Sequence, residues 1–290
     1  MKDFPIPVRA VGPGSQPHDD AELDYVPIPH DVPTFAMPSL PQDADAANMR
    51  AARDLLARFV DAMGDGAAPR FELAGLDAGA LEVLNQTLGE GEVAIRIAGA
   101  IANGGAGGVA VRIQETVFAG VWRERHVDSG GRLVHDYLRA CAIPPIAIDA
   151  ARRAATVAVP EVELPPGAMN APALLAEIRA QVRSFRPRGA PHVINLTLLP
   201  LTPDDHQVLE RAIVPGPVAI LSRGFGNCRI TSTGLANLWR VQYFNSMQTL
   251  ILNTIEIVEI PEVALAADED LADSRERLVE LLAWMNEAAA

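Results

Sequence analysis

The sequence predicts an α+β fold built from two related modules. Each reads as helix–strand–helix followed by an antiparallel strand meander, with an extended Pro-rich arm ahead of the first. Three observations predict it. An internal repeat sets Val93-Ala94-Ile95 over Val218-Ala219-Ile220, Leu84 over Leu209 and Gly91 over Gly216, at an offset of 125 residues. Farther on, Trp122-Arg123 falls on Trp239-Arg240 and Ile143-Pro144 on Ile260-Pro261 at an offset of 117, with no gap between these landmarks. Within each copy, helical periodicity gives way to β-branched runs bounded by turn residues.

The change of offset places eight extra residues in the first copy, in the glycine-rich stretch Asn103–Gly108. A length of 290 residues with 49% apolar content suits two ordinary cores. The expected boundaries are an arm over 1–42, a first module over 43–150, a linker over 151–169, and a second module with a C-terminal helix over 170–290.

The arm is proline-studded from Pro5 to Pro41, and proline fixes φ and removes a donor, so helix and central strand are both excluded there. Its apolar residues, among them Leu23, Tyr25, Phe35 and Met37, suit a segment that lies on an apolar surface of its own body or of a partner. A helix follows over Ala44–Met63, with Met49, Leu55, Leu56, Phe59 and Val60 on one face and Gly64 at its end.

The first copy continues with a strand over Phe71–Leu73 and a helix over Ala78–Leu88. Strands follow at Val93–Ile97, Val109–Glu115, Val121–His126 and Leu133–Ala142. In the second copy a helix over Ala171–Phe185 has Asn170 as a natural N-cap. Val193–Leu199 reads as a strand, and Thr202-Pro203-Asp204-Asp205 opens a helix to about Ile213. Strands at Val218–Leu221 and Arg229–Thr233 flank a turn at Gly224–Asn227; Leu238–Phe244 and Thr249–Ile260 complete the meander. A last helix spans 268–287, with acidic residues at the positive end of its dipole.

Composition narrows the function. A formal net charge of −13 argues against a nucleic-acid or anionic-membrane partner, since both require basic patches. Cys141 and Cys228 are too few for a disulfide framework or a four-thiolate metal site. The N-terminus lacks a signal-peptide pattern, and no apolar run approaches the ~20 residues needed to span a bilayer. A cytoplasmic protein is expected.

Motifs for chemistry are weak. The six histidines show no metal-ligand spacing, although His126 and His135 fall near each other on facing strands. Gly224-Phe225-Gly226 lacks the third glycine and following helix of a dinucleotide site, and the 104–108 glycines lack a phosphate-loop ending. Cys228, between Arg223 and Arg229, is the best nucleophile candidate, because those charges would favour the thiolate; no histidine stands nearby as a base.

There remains a polar and aromatic set in the second module. Arg223, Phe225, Asn227, Cys228, Arg229, Gln242, Tyr243, Asn245 and Asn253 are expected to bind a partner, since arginine and aromatics beside uncharged polar groups compose an interaction surface. Equivalent first-copy positions differ: Asn253 becomes Asp136, Gln242 becomes Arg125 and Tyr243 becomes His126.

Four segments carry a resemblance: Asn195–Pro203, Ile220–Ile230, Val241–Ser246 and Ile251–Glu256. Together with Gly12–Gln16 in the arm, they resemble the hydrogenase expression/formation proteins called HupH, HoxQ or HyaF over essentially the full length. Arg240 departs from the apolar or aromatic residue expected after Trp239. The resemblance implies a non-enzymatic accessory or chaperone role in maturing an uptake [NiFe] hydrogenase, with no cofactor. The implied partners are the iron–sulfur small-subunit precursor before export and a thioredoxin-like maturation protein. The alternative is a thiol-dependent or iron–sulfur cluster transfer protein using Cys228.

Overall fold

The structure is a computed structural model that describes residues 45–64, 67–101, 109–224 and 226–288. The expected arm over 1–42, the glycine-rich 103–108 stretch and Phe225 lie outside the described residues. The first half runs α1 (Ala46–Ala62), β1 (Arg70–Glu72), α2 (Ala78–Leu88), β2 (Val93–Ile101), β3 (Val109–Glu115), β4 (Val121–Val127), β5 (Leu133–Ala140) and α3 (Pro145–Ala154). The second runs α4 (Ala171–Ser184), β6 (His192–Asn195), α5 (Pro203–Ala212), β7 (Pro215–Ser222), β8 (Asn227–Thr233), β9 (Leu238–Phe244), β10 (Leu250–Ile257) and α6 (Asp268–Ala288).

The two halves share a single antiparallel sheet of ten strands in the order β1-β5-β4-β3-β2-β7-β8-β9-β10-β6. That order reads the same from either edge once repeat equivalents are exchanged. At the seam, Ile95 of β2 stands opposite Ile220 of β7, its own equivalent; Ala94 faces Leu221 and Arg96 faces Ala219. Each pairing recurs with its roles exchanged, which is the signature of a two-fold contact within one chain.

Several landmarks repeat across this axis. A Cβ at Gly91 would lie 2.1 Å from the Thr116 carbonyl oxygen, and one at Gly216 would lie 2.7 Å from that of Thr233. The first helix–strand junction therefore admits no side chain, and neither does the second. The Thr116 hydroxyl accepts from Phe118 N, and the Thr233 hydroxyl accepts from Leu235 N, closing equivalent turns. Trp122 and Trp239 are both buried, with indole nitrogens donating to the carbonyls of Cys141 and Glu259.

Strand alternation separates two faces. One carries Ile95, Ile113, Trp122, Ile220, Ile230 and Trp239 into a core closed by α3. Ala147, Ala150 and Ala151 recur at helical spacing, so α3 can lie close against the sheet seam. On the opposite face α4 and α5 cover Ile194, Leu238, Ile255 and Ile257. In the first half α2 lies over that same face, where its Asn85 accepts from Arg123 Nη1. The strip of sheet between α2 and α5 is the site's floor.

Four expectations are corrected. α3 occupies the end of the first module and the start of the expected 151–169 linker; the run of alanines around Asp149 hid its apolar stripe. The strand expected over Val193–Leu199 stops at Asn195, whose side chain accepts from Thr197 N and turns the chain into a short 3₁₀ segment over Leu196–Leu198. Asn170 makes no side-chain cap; instead Asp205 of α5 accepts from the backbone nitrogens of Asn170 and Ala171. The C-terminal helix, assigned to the second module, packs on α1, with Ser274 donating to the Ala119 carbonyl. The last helix thus crosses back to the first half.

Candidate functional site

Cross-strand partners share a face, so the register sorts six of the nine expected partner-binding residues; Arg223 and Asn245 lie just beyond strand ends, and Phe225 lies outside the described residues. Asn227 stands opposite Phe244, and Arg229 opposite Gln242. Gln242 in turn stands opposite Asn253. These side chains belong to the open strip, where Arg229 is exposed and its guanidinium sits 5.4 Å from the Phe244 ring centroid. Arg223 is exposed just beyond β7, and its backbone nitrogen donates to the Glu92 carbonyl.

Cys228 and Tyr243 alternate with these residues and so point to the other face. Cys228 is 2% exposed within the core that holds Ile230 and Trp239. Burial pushes its thiol up, against a hydrogen bond from Tyr243 that lowers it. Tyr243 packs against the same core, and burial raises its phenol to about 12. Reading the arginines beside Cys228 as thiolate-stabilising neighbours is therefore corrected, because strand alternation turns Arg229 away from the sulfur.

Two further residues act structurally. Asn245 accepts from the backbone nitrogens of Met247 and Thr249 and so builds the β9–β10 turn. Asn253 is buried, accepts from Arg240 Nε at 3.2 Å, and receives Thr197 Oγ1 as an acceptor for its backbone nitrogen. Its repeat equivalent is Asp136, which takes both Nε and Nη2 of Arg123, the equivalent of Arg240. The first half thus neutralises its buried arginine with a bidentate carboxylate, while the second offers an amide.

The open strip holds more charge than the sequence disclosed. Arg96, Arg112 and Arg125 stand directly opposite one another across β2, β3 and β4, and all three are exposed. They floor a cleft of about 420 Å³ together with Ala94, Gln114 and Arg123, walled by Asn85, Leu88 and Glu90 of the α2 end. The alternation of Ile95 and Ile97 with Arg96, and of Val111 and Ile113 with Arg112, was visible in the sequence. Only the pairing register shows that the arginines converge.

A second cluster lies on the other face of the first half. The Glu124 carboxylate, fully buried, faces His126 Nε2 at 2.7 Å, Arg139 Nε at 3.1 Å and Arg70 Nη2 at 3.3 Å. Burial alone would raise it, but the His126 hydrogen bond and the Arg139 and Arg70 charges hold it below its usual value. His126 and His135, expected to approach, are direct cross-strand partners with ring centroids 5.8 Å apart. Among the described residues, no group of three or more metal-ligating side chains is gathered.

This two-fold sheet can be set beside known proteins. A family model described as HupH hydrogenase expression protein, C-terminal conserved region, matches residues 64–158 and 168–285, two segments consistent with a duplication. The chain is similar to the hydrogenase expression/formation protein HoxQ of Cupriavidus necator, with 45% identity over 98% of this chain and 99% of that one. It is 42% identical to HupH of Rhodobacter capsulatus, over 97% of this chain and 98% of that one. The hydrogenase-1 operon protein HyaF of Escherichia coli is 35% identical over 96% of each. A solved structure, the hydrogenase expression protein HupH from Thiobacillus denitrificans, matches 39% of this chain and 95% of its own with 28% identity and a TM-score of 0.37. The chain belongs to the HupH family of hydrogenase expression proteins.

Proposed function

We propose that this protein is a non-enzymatic accessory chaperone of [NiFe] hydrogenase maturation, and that it binds the iron–sulfur small-subunit precursor before export. Support for the hydrogenase context comes from family membership and from relatives named for hydrogenase expression and formation. The observation that carries the binding reading is the open strip of sheet between α2 and α5. It presents Asn227, Arg229, Gln242 and Phe244 in adjoining rows on a floor fixed by cross-strand pairing. A preformed polar and aromatic face on rigid strands binds without first having to be ordered. A thioredoxin-like maturation protein is the expected companion, and the work takes place in the cytoplasm. Among the described residues, no helix is long and apolar enough to cross a membrane.

The thiol reading finds less support, because Cys228 is buried and its thiol is held protonated. Affinity capture with tagged protein, from cells expressing the hydrogenase operon with and without the small subunit's export signal, tests the proposal. Capture of the signal-bearing precursor is expected, with loss on Arg229→Ala combined with Gln242→Ala. Recovery of no hydrogenase polypeptide, or of the large subunit alone, would overturn it.

A further inference from the structure

The arginines on the floor of the cleft pose an electrostatic problem. Arg96 and Arg112 are direct cross-strand partners, as are Arg112 and Arg125. Like charges placed opposite each other destabilise a sheet. Among the described residues none of the three guanidinium groups forms a side-chain hydrogen bond or ion pair. The nearest carboxylate by register is Asp136, opposite Arg125, but both of its oxygens are already held by Arg123. Glu90 lines the wall of the cleft, and Glu92 lies two positions before Ala94 at the start of β2.

The same row continues across the seam through Ala219 and Thr231 to Arg240 of β9. Arg240 is met by the neutral amide of Asn253, so its charge is not cancelled there. From β4 to β9 the row crosses five strand spacings, or about 24 Å at ~4.8 Å each. Small Ala219 and Thr231 keep the middle of this track low. One phosphate-sized anion would meet only part of it. A polypeptide in extended form would cover it with roughly seven residues at ~3.4 Å each.

We propose that the arginine row Arg125–Arg112–Arg96, running on to Arg240, is the docking track for an extended acidic peptide segment. The charge contrast makes the track selective. On a chain of formal charge −13, a cationic strip attracts a short acidic segment, while long polyanions meet repulsion from the surrounding surface. Assigning the segment to the hydrogenase precursor rests on the function proposed above; the binding chemistry does not.

The test uses the full chain and a fluorescein-labelled heptapeptide alternating glutamate and alanine, read by fluorescence anisotropy. Arg112→Gln is expected to weaken binding about tenfold, the scale of one charge-assisted hydrogen bond. Arg96→Gln combined with Arg125→Gln should weaken it further, and added salt should weaken it in the parent protein. Arg186→Gln, at an exposed residue that does not line the cleft, should leave it unchanged.

Because like-charge repulsion is relieved, Arg112→Gln should also raise the melting temperature of the free protein. A fall would mean the row serves folding and would overturn the proposal. So would equal binding by the parent and cleft variants, or displacement of the peptide by equimolar inorganic phosphate or a single-stranded oligonucleotide. Self-association that Arg112→Gln abolishes, with no peptide binding, would assign the track to a second copy and overturn it as well. Peptide binding without capture of hydrogenase polypeptide would leave this inference standing while the function proposed above fails.

Discussion

At the scale of single residues, the structure turns on which side of a strand each side chain occupies. Cys228 and Arg229 are adjacent in sequence yet serve opposite faces, which reading along the chain could not separate. Both cysteines have thiols raised by burial, Cys141 to about 12. We therefore expect neither to react with a thiol reagent in the native protein, and both to react after unfolding; rapid labelling of Cys228 in the folded state would contradict the assignment. Glu115 offers a pH test. Burial first, and the Glu92 charge in addition, raise its carboxyl to about 7, against the hydrogen bond donated by Gly120 N. Between about 4.5 and 7 the folded state holds a proton that the unfolded state has released, so this residue's effect on stability worsens as pH rises. Glu115→Gln keeps the acceptor for Gly120. It should match the parent near pH 4.5 and exceed it by roughly 3 kcal/mol at pH 8 in urea unfolding. Glu124 shifts the opposite way. Its contribution is present above the ordinary carboxylate range and is lost as pH falls through its lowered value.

At the scale of elements, local signals located most helices and strands to within a few residues. The clearest was Thr202-Pro203-Asp204-Asp205, which forms a capping box: the Thr202 hydroxyl accepts from Asp205 N while the Asp205 carboxylate accepts from Thr202 N. Thr202→Ala should cost about 1 kcal/mol in denaturant unfolding. Asp205 was not legible as the bracket between two helices, because its contacts to Asn170 and Ala171 span more than thirty positions. These backbone hydrogen bonds overcome the upward push of burial and hold its carboxyl near 2. Its contribution is thus present at pH 5 and lost only in strong acid. Asp205→Ala should lower the melting temperature at pH 7 by loosening the starts of α4 and α5 together. α3 escaped notice for a related reason: its alanine face has little apolar contrast, and what fixes it is the seam beneath.

At the scale of the whole molecule, the repeat read from the sequence is consistent with the two-segment family match and the mirrored strand order, and Gly91 with Gly216 is its most exacting marker. Repetition in sequence says nothing of how copies meet, however. The β2–β7 seam and the crossing of α6 onto α1 arise from long-range burial of Ile95, Ile220 and Leu281. Ile220→Ala should cost 2–5 kcal/mol. It should also leave a single unfolding transition by fluorescence and circular dichroism, since both halves share the sheet; two resolved transitions would count against that union. Of the proposed site, the second module's polar residues could be picked out along the chain, but the arginine row drawn mainly from the first could not, because only the pairing register brings it together. The account centres on a rigid open face that binds a client polypeptide without thiol chemistry. Calorimetric titration of purified small-subunit precursor tests this most directly, using the parent, Arg229→Ala with Gln242→Ala, and Cys228→Ser after each is confirmed folded. The account predicts stoichiometric binding by the parent and the Cys228 variant and marked weakening in the open-face variant; equal binding by the open-face variant, or loss confined to Cys228→Ser, would contradict it.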